Sequence, residues 1–344
     1  IPPLEPVVLP PLPPRNSPTR SELARILRKE KLRDFKRPIW EMPREELLEH
    51  FAAKSSGRPL ASAIIKNIIW QVHRWVEGGQ LTPPRGNIRS FWETFVEPTL
   101  IRAGIVDTPT DHYQTTISLF SRFIREYKLF FYRDFGFEDE GWESRRVGKT
   151  NPHIVLFTEK PRFSSLLKDV HVNYDVTIVS LRGMISALFS EYTAAEILAE
   201  ITHPREFFLY SIVDYDPAGH LITRNFAEML EEGGLTPLFV HDLVSPDLFT
   251  PEELERLKYP LKPNRNSRRL YERWYAAGKG VAGKRFGIAA DIRYRHRIVD
   301  AFRRELAGLA SRGRFRLPAR ERSAPFKDGK SAGRASPPSP DRSV

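Results

Sequence analysis

The chain is expected to fold as an α/β protein, a parallel sheet with flanking helices, preceded by a mainly helical domain. Three observations predict this. First, residues 153–158, 176–180 and 207–213 are short unbroken apolar runs, each followed by a stretch of helical character, and 238–241 fits a fourth strand. Unbroken runs mark strands covered on both faces, and their alternation with helices marks parallel pairing. Second, upstream of residue 149 the apolar residues recur mostly at helical spacing. Third, 344 residues that are 40% hydrophobic and 28% charged can bury two cores, which excludes wholesale disorder.

The helical part is read in order. Residues 1–18 hold eight prolines and form an irregular arm, within a proline-rich segment taken as 1–20. A helical extension (21–58) contains helices at Ser21–Phe35 and Pro43–Ala53. Ser62–Val76 sets Ile64, Ile65, Ile68, Ile69, Val72 and Val76 on one face, and Gly78-Gly79 stops it. Asn87–Val96 is a helix broken by Pro98, Ile117–Tyr127 another, and Leu129–Phe135 is strand-like. Helix, turn, helix and short strand outline a winged helix over 59–148. The α/β domain spans 149–311; residues 265–310 read as helical and basic, and 312–344 as a basic tail without fixed structure.

Composition narrows the partners. Lys plus Arg number 54 against 43 Asp plus Glu, a formal charge of +11. Residues 265–344 alone carry 21 basic and seven acidic side chains, so the excess is concentrated at one end. A concentrated basic surface points to a polyanion, and double-stranded DNA is the expected partner. Arg85 and Arg89, at the opening of a helix, and Arg265, Arg268 and Arg269 are the candidate phosphate contacts. The absence of cysteine excludes thiolate metal sites and cysteine nucleophiles. No apolar run is long enough for a membrane span, and the opening residues lack the pattern of a signal peptide. The expected location is cytoplasmic and nucleoid-associated. No Gly-x-x-x-x-Gly-Lys-Ser/Thr string is present, so no ATP site is expected.

Three acids fall at strand ends, where open parallel sheets gather their chemistry. Glu159 closes the first run, and Asp214 and Asp216 follow the third, with Pro217 and Gly219 supplying the turn. Converging carboxylates repel, and Mg²⁺ is the hard cation that offsets them while bridging to phosphate oxygens. The competing reading is that these acids only cap helices in a non-catalytic DNA-binding protein. His220 is open to a phosphate contact or to polar packing, and His203 and His241 have no metal spacing.

Glu159, Gly183 after the next strand, and the string Val213-Asp-Tyr-Asp-Pro-Ala-Gly-His-Leu-Ile222 together resemble the Toprim domain. The form D-x-D-P-x-G-x-x-I is particularly similar to the A subunit of topoisomerase VI and its meiotic double-strand-break relatives. The likeness is sharp over 154–163 and 211–222 and follows the order of elements over roughly 60–300. It implies a winged-helix (CAP-like) domain ahead of Toprim, and Mg²⁺-dependent DNA cleavage with Glu159, Asp214 and Asp216 as ligands. It further implies a homodimer, and an ATPase partner subunit if strands are passed. Asp291 is assigned no role. In that family a winged-helix tyrosine attacks phosphorus. In the nearest matching segment, Ser62–Trp70, Lys66 and Asn67 stand where Arg and Asp are expected, and Trp70 replaces the tyrosine. Tyr113 is therefore the candidate nucleophile, with Tyr127 and Tyr132 in the same domain. The alternative is hydrolysis by water, as in the similar nuclease subunits of Wadjet-type plasmid defence.

Overall fold

The computed structural model describes residues 18–312 apart from 53–57, 106–108, 140, 182–185, 202–205, 266 and 282–284. The proline-rich arm up to residue 17, Gly183 and the tail from residue 313 thus lie outside the described residues.

The helical half opens with α1, Arg20–Glu30. The Thr19 hydroxyl accepts from the Glu22 N–H, and the Glu22 carboxylate accepts from the Thr19 N–H, so two otherwise orphaned donors are satisfied. The helix stops at Glu30 rather than Phe35 because Lys31 turns left-handed, with φ 55°. A 3-10 turn, Ile39–Glu41, leads to α2, Arg44–Phe51, and then to the long α3, Arg58–Glu77. Ile64, Ile65, Ile68, Ile69 and Val72 are all fully buried along α3, as their spacing predicts.

The segment between α1 and α2 is strapped across α3 by side chains that complete its backbone bonding. Asn67 Oδ1 accepts from the Arg33 N–H at 2.9 Å. Gln71 Oε1 accepts from the Ile39 N–H at 2.9 Å, and its Nε2 donates to the carbonyls of Phe35 and Arg37. Trp70 Nε1 donates to Asp34 Oδ1 at 3.1 Å.

Next come α4, Ile88–Phe91, a π-helical turn at Trp92–Val96, and α5, Glu97–Arg102. The expected break at Pro98 does not occur. The wider turn lets the ladder change register just before Pro98, which sits in the first turn of α5 where its missing N–H costs little. Helix α6, Pro109–Ser121, likewise runs into a π turn, Arg122–Glu126.

The strand expected at Leu129–Phe135 is a correction. Tyr132–Phe135 is a 3-10 turn, closed by Asp134 Oδ2 accepting from the Phe131 N–H at 2.7 Å and by Gly136 at φ 69°. Phe130, Tyr132, Phe135 and Phe137 pack inward around Phe91 and Phe120 instead of alternating across a sheet. Among the described residues the helical half therefore has no strand pair of its own before residue 145.

The α/β half consists of β1 (Arg145–Arg146), β2 (His153–Thr158), α7 (Ser164–Tyr174), β3 (Thr177–Ser180), α8 (Ala187–Glu200), β4 (Glu206–Ile212), α9 (Pro217–Glu232) and β5 (Thr236–Asp242). The sheet order is β1-β3-β2-β4-β5, with β2, β3, β4 and β5 parallel and β1 antiparallel at the edge. Alternate residues of the central strands serve two cores. Ile154, Leu156, Phe208 and Tyr210 pack toward α7, and Val155, Phe157, Phe207 and Leu209 pack toward α8 and α9. Both faces of these central strands are covered, as their unbroken apolar runs require, whereas Leu238, Phe239 and Val240 of the edge strand β5 are exposed.

Helix α10, Pro251–Leu257, leads to β6 (Lys258–Pro260), α11 (Arg268–Ala276), β7 (Phe286–Ile288) and α12 (Arg295–Ser311). The stretch expected to be helical over 265–310 is thus interrupted by β7, which pairs antiparallel with β6. Phe302 and Leu306 of α12 complete the core on the α7 side. The two halves are joined where Glu191 of α8 accepts the N–H groups of Tyr132 and Arg133, and where Arg125 pairs with Glu232 at 3.0 Å. No helix among the described residues is long and apolar enough to cross a membrane.

One buried group on β2 makes the fold acid-sensitive. His153 is 1% exposed, accepts or shares a hydrogen with Thr177 Oγ1 at 2.8 Å, and is pushed by burial down to about 4. The unfolded chain takes up this proton near the ordinary histidine value of about 6.5, before the folded chain does. The neutral ring's contribution is therefore whole above that pH and is lost as pH falls toward 4, by about 3 kcal/mol. Urea midpoints should fall between pH 7 and pH 4, and His153→Gln should flatten that decline.

Candidate metal and phosphate site

The carboxyl ends of β2 and β4 are neighbours in the sheet, so the residues that leave them meet in one crevice. Glu159 follows β2 directly. Asp214 lies just past β4, and Asp216 caps α9 with Oδ1 accepting from the Gly219 N–H at 2.6 Å. Pro217 begins the helix, four residues earlier than the expected Leu221, because the cap and the proline prearrange its first turn. Gly219 is required by space: a Cβ there would stand 2.2 Å from the Asp214 carbonyl oxygen.

Each acid is held. Asp214 Oδ1 accepts from the Ala290 N–H at 2.6 Å, and Oδ2 accepts from Lys160 Nζ at 2.7 Å. The same ammonium lies 3.7 Å from Glu159 Oε1. Arg162 donates to the Ala290 carbonyl, fixing that residue from its other side. Asp216 Oδ2 accepts from the Tyr259 hydroxyl at 2.5 Å. Tyr215, between the two aspartates, forms a bridge with Ile288 through N–H to carbonyl bonds of 2.9 and 3.1 Å.

The electrostatics record the convergence. Burial pushes the Glu159 carboxyl above its ordinary range, and the charges of Asp214 and Asp216 push it further, against the pull of Lys160. Burial, the bond to Asp216 and the nearby carboxylates likewise push the Tyr259 phenol far up. The donor chemistry suits a hard divalent cation: three carboxylates, on adjacent strand ends, with one cationic group already between two of them. In the arrangement seen, Lys160 supplies that positive charge, and no three acidic or histidine side chains among the described residues close around a single metal position.

The expected nucleophile is not brought to this crevice. Tyr113 is half-buried on α6, its ring 6.0 Å from that of Trp92 with the Arg89 guanidinium 5.1 Å from its centroid. Tyr127 donates to Glu30 Oε1 at 2.7 Å, and Tyr132 stacks on Phe120 at 6.0 Å. All three rings belong to the helical core, and the Tyr127 hydroxyl is partnered there by Glu30. Trp70, which the resemblance sets where a tyrosine is expected, is 5% exposed and lies under the strap.

Arg85 and Arg89 are exposed at the start of α4, with Arg89 paired to Glu93 at 2.7 Å. Arg265, Arg268 and Arg269 are exposed on and before α11, with Arg268 paired to Glu272 at 2.9 Å. Helix α11 adjoins the acidic crevice, since its Trp274 packs 5.1 Å from Tyr215. Lys160, Tyr259 and Ala290 are the members of the site that sequence reasoning missed. Lys160 stood in view beside Glu159; Tyr259 and Ala290 reach the crevice only through the β6–β7 pair, which has three residues per strand.

Neither the comparison with protein-family models nor that with curated proteins finds a match for this chain.

Proposed function

We propose that the protein cuts double-stranded DNA with Mg²⁺ at the acidic crevice, using water as the nucleophile. The observation that carries this reading is the placing of Glu159, Asp214 and Asp216 at adjacent parallel strand ends, with Glu159's proton affinity raised by burial first and by the two aspartates second. The resemblance of the Asp214–Ile222 string to the Toprim domain of topoisomerase VI A subunits points to the same chemistry. The parallel order β3-β2-β4-β5 with helices on both faces is compatible with it. A DNA-binding role for the helical half belongs to this proposal too, with Arg85 and Arg89 around the start of α4 as the DNA-facing part, although its described residues hold no strand pair to serve as a wing.

Glu159, Asp214 and Asp216 would hold the ion, and Lys160 would turn from them toward the phosphate. When bound, magnesium offsets the charge that develops on the phosphoryl oxygens. Arg265, Arg268 and Arg269 would track the backbone beside the crevice, which positions the strand without reading its bases. Two strands need two crevices, so a homodimer is part of the reading; an ATPase partner is needed only if strands are passed.

Water is preferred to tyrosine because Tyr113, Tyr127 and Tyr132 are all engaged in the helical core. Supercoiled plasmid incubated with the protein and Mg²⁺, half of it then treated with protease, is the test. Free ends, unchanged by protease, are expected. Protein-linked ends would restore a tyrosine mechanism, and intact plasmid would leave a DNA-binding protein without cleavage.

A further inference from the structure

A second constellation lies at the same edge of the sheet, one turn into α9. His220 Nδ1 is 2.8 Å from Asp242 Oδ2 at the end of β5. Asp242 Oδ1 accepts from Ser211 Oγ and Thr223 Oγ1, each at 2.6 Å. Burial would push this carboxyl up, yet the hydrogen bonds from His220, Ser211 and Thr223 hold it below its ordinary range. Asp242 is therefore ionised and can only accept, so Nδ1 of the neutral ring carries the hydrogen and Nε2 carries the lone pair.

That nitrogen is not used up by the fold. Nε2 has no hydrogen-bond partner among the described residues, and the His220 side chain is 31% exposed. Trp274 ties the ring to the acidic loop, standing 5.6 Å from His220 and 5.1 Å from Tyr215. Lys279 covers the same indole at 4.8 Å. A packing histidine needs no ionised carboxylate fixed by two hydroxyls behind it. A proton acceptor does, because the carboxylate sets the tautomer and stabilises the imidazolium that forms.

We infer that His220 is the general base of the cleavage reaction, positioned by Asp242. The inference rests on the cleavage reading above and names a residue that reading leaves open. Nε2 takes a proton from the attacking water as the water oxygen bonds to phosphorus. The bond from phosphorus to the leaving sugar oxygen breaks with its electron pair, that oxygen takes a proton from solvent, and the imidazolium returns its own to solvent.

Plasmid nicking by the full chain with Mg²⁺ tests this through His220→Gln, His220→Ala and Asp242→Asn, with duplex affinity measured alongside. General-base loss is worth about 10²–10⁴-fold in kcat. His220→Gln should fall in that range with duplex affinity unchanged, and added imidazole should restore part of the His220→Ala rate. Asp242→Asn should lower kcat with KM unchanged and shift the ring hydrogen toward Nε2, read by ¹⁵N NMR of the imidazole. Cutting by His220→Gln at the unaltered rate, or lost cutting that imidazole does not restore, overturns the role while cleavage by the unaltered protein stands. If the unaltered protein does not cut, the cleavage reading itself falls and this role falls with it.

Discussion

Asp214→Asn is expected to abolish Mg²⁺-dependent cutting while duplex affinity is kept. The substitution preserves shape and an oxygen for the Ala290 N–H, but removes the charge that Lys160 now answers at 2.7 Å. A metal held by two carboxylates instead of three loses both affinity and its hold on the phosphoryl oxygen. Metal stabilisation of the transition state is worth several kcal/mol, and each 1.36 kcal/mol is tenfold in rate, so the fall should be about 10³-fold or more. The measurement is initial nicking rate over a Mg²⁺ titration, with a thermal melt to show that the chain remains folded. DNA affinity, which the proposed reading assigns to basic side chains elsewhere, should scarcely change. Unaltered cutting would discard the acidic crevice as the reaction site.

Phe135→Ala should produce the largest loss of stability among single core truncations in the helical half. Phe135 is fully buried and meets Phe91, Phe120, Phe130 and Phe137 with ring centroids between 5.0 and 5.8 Å, and His73 at 5.9 Å. Truncating such a ring removes its apolar burial and leaves a cavity that rigid aromatic neighbours cannot fill, at about 3–5 kcal/mol. Domains of ordinary stability have about 5–15 kcal/mol in all. Chemical denaturation should therefore show a strongly lowered midpoint, and Phe135→Leu should recover much of it. A loss under about 1 kcal/mol would mean that this turn is not part of the core.

The difference between what was legible and what was not has a physical pattern. The central strands were legible because burial on both faces leaves unbroken apolar runs such as His153–Thr158. The helix α3 was legible because twenty residues give its period room to repeat. The acids were legible because Asp214, Asp216, Pro217 and Gly219 are contiguous and their turn chemistry is local. By contrast, Leu129–Phe135 mixes spacings of two and three, and only the Asp134 side chain bonding back to Phe131 decides for a 3-10 turn. Strands of three residues such as β6 and β7 have no period to read. Pairings across long separations, such as Lys160 with Asp214 or His220 with Asp242, exist only once the sheet has set strand ends side by side. The tyrosine question was of this kind as well: Tyr113 was a candidate only as a tyrosine of the same domain, and packing reveals that its ring is engaged with Trp92 and Arg89.

The bond from Ala290 to Asp214 spans 76 residues, and Tyr215 is bridged to Ile288 alongside it. Half of the crevice's scaffolding thus arrives late in the chain. A fragment ending after β5 would retain Glu159, Asp214 and Asp216 yet leave Asp214 with Lys160 alone and Asp216 without Tyr259. On the cleavage reading proposed above, a minimal active piece is expected to extend past residue 290, so that a fragment ending after β5 should fail to cut where the full chain does.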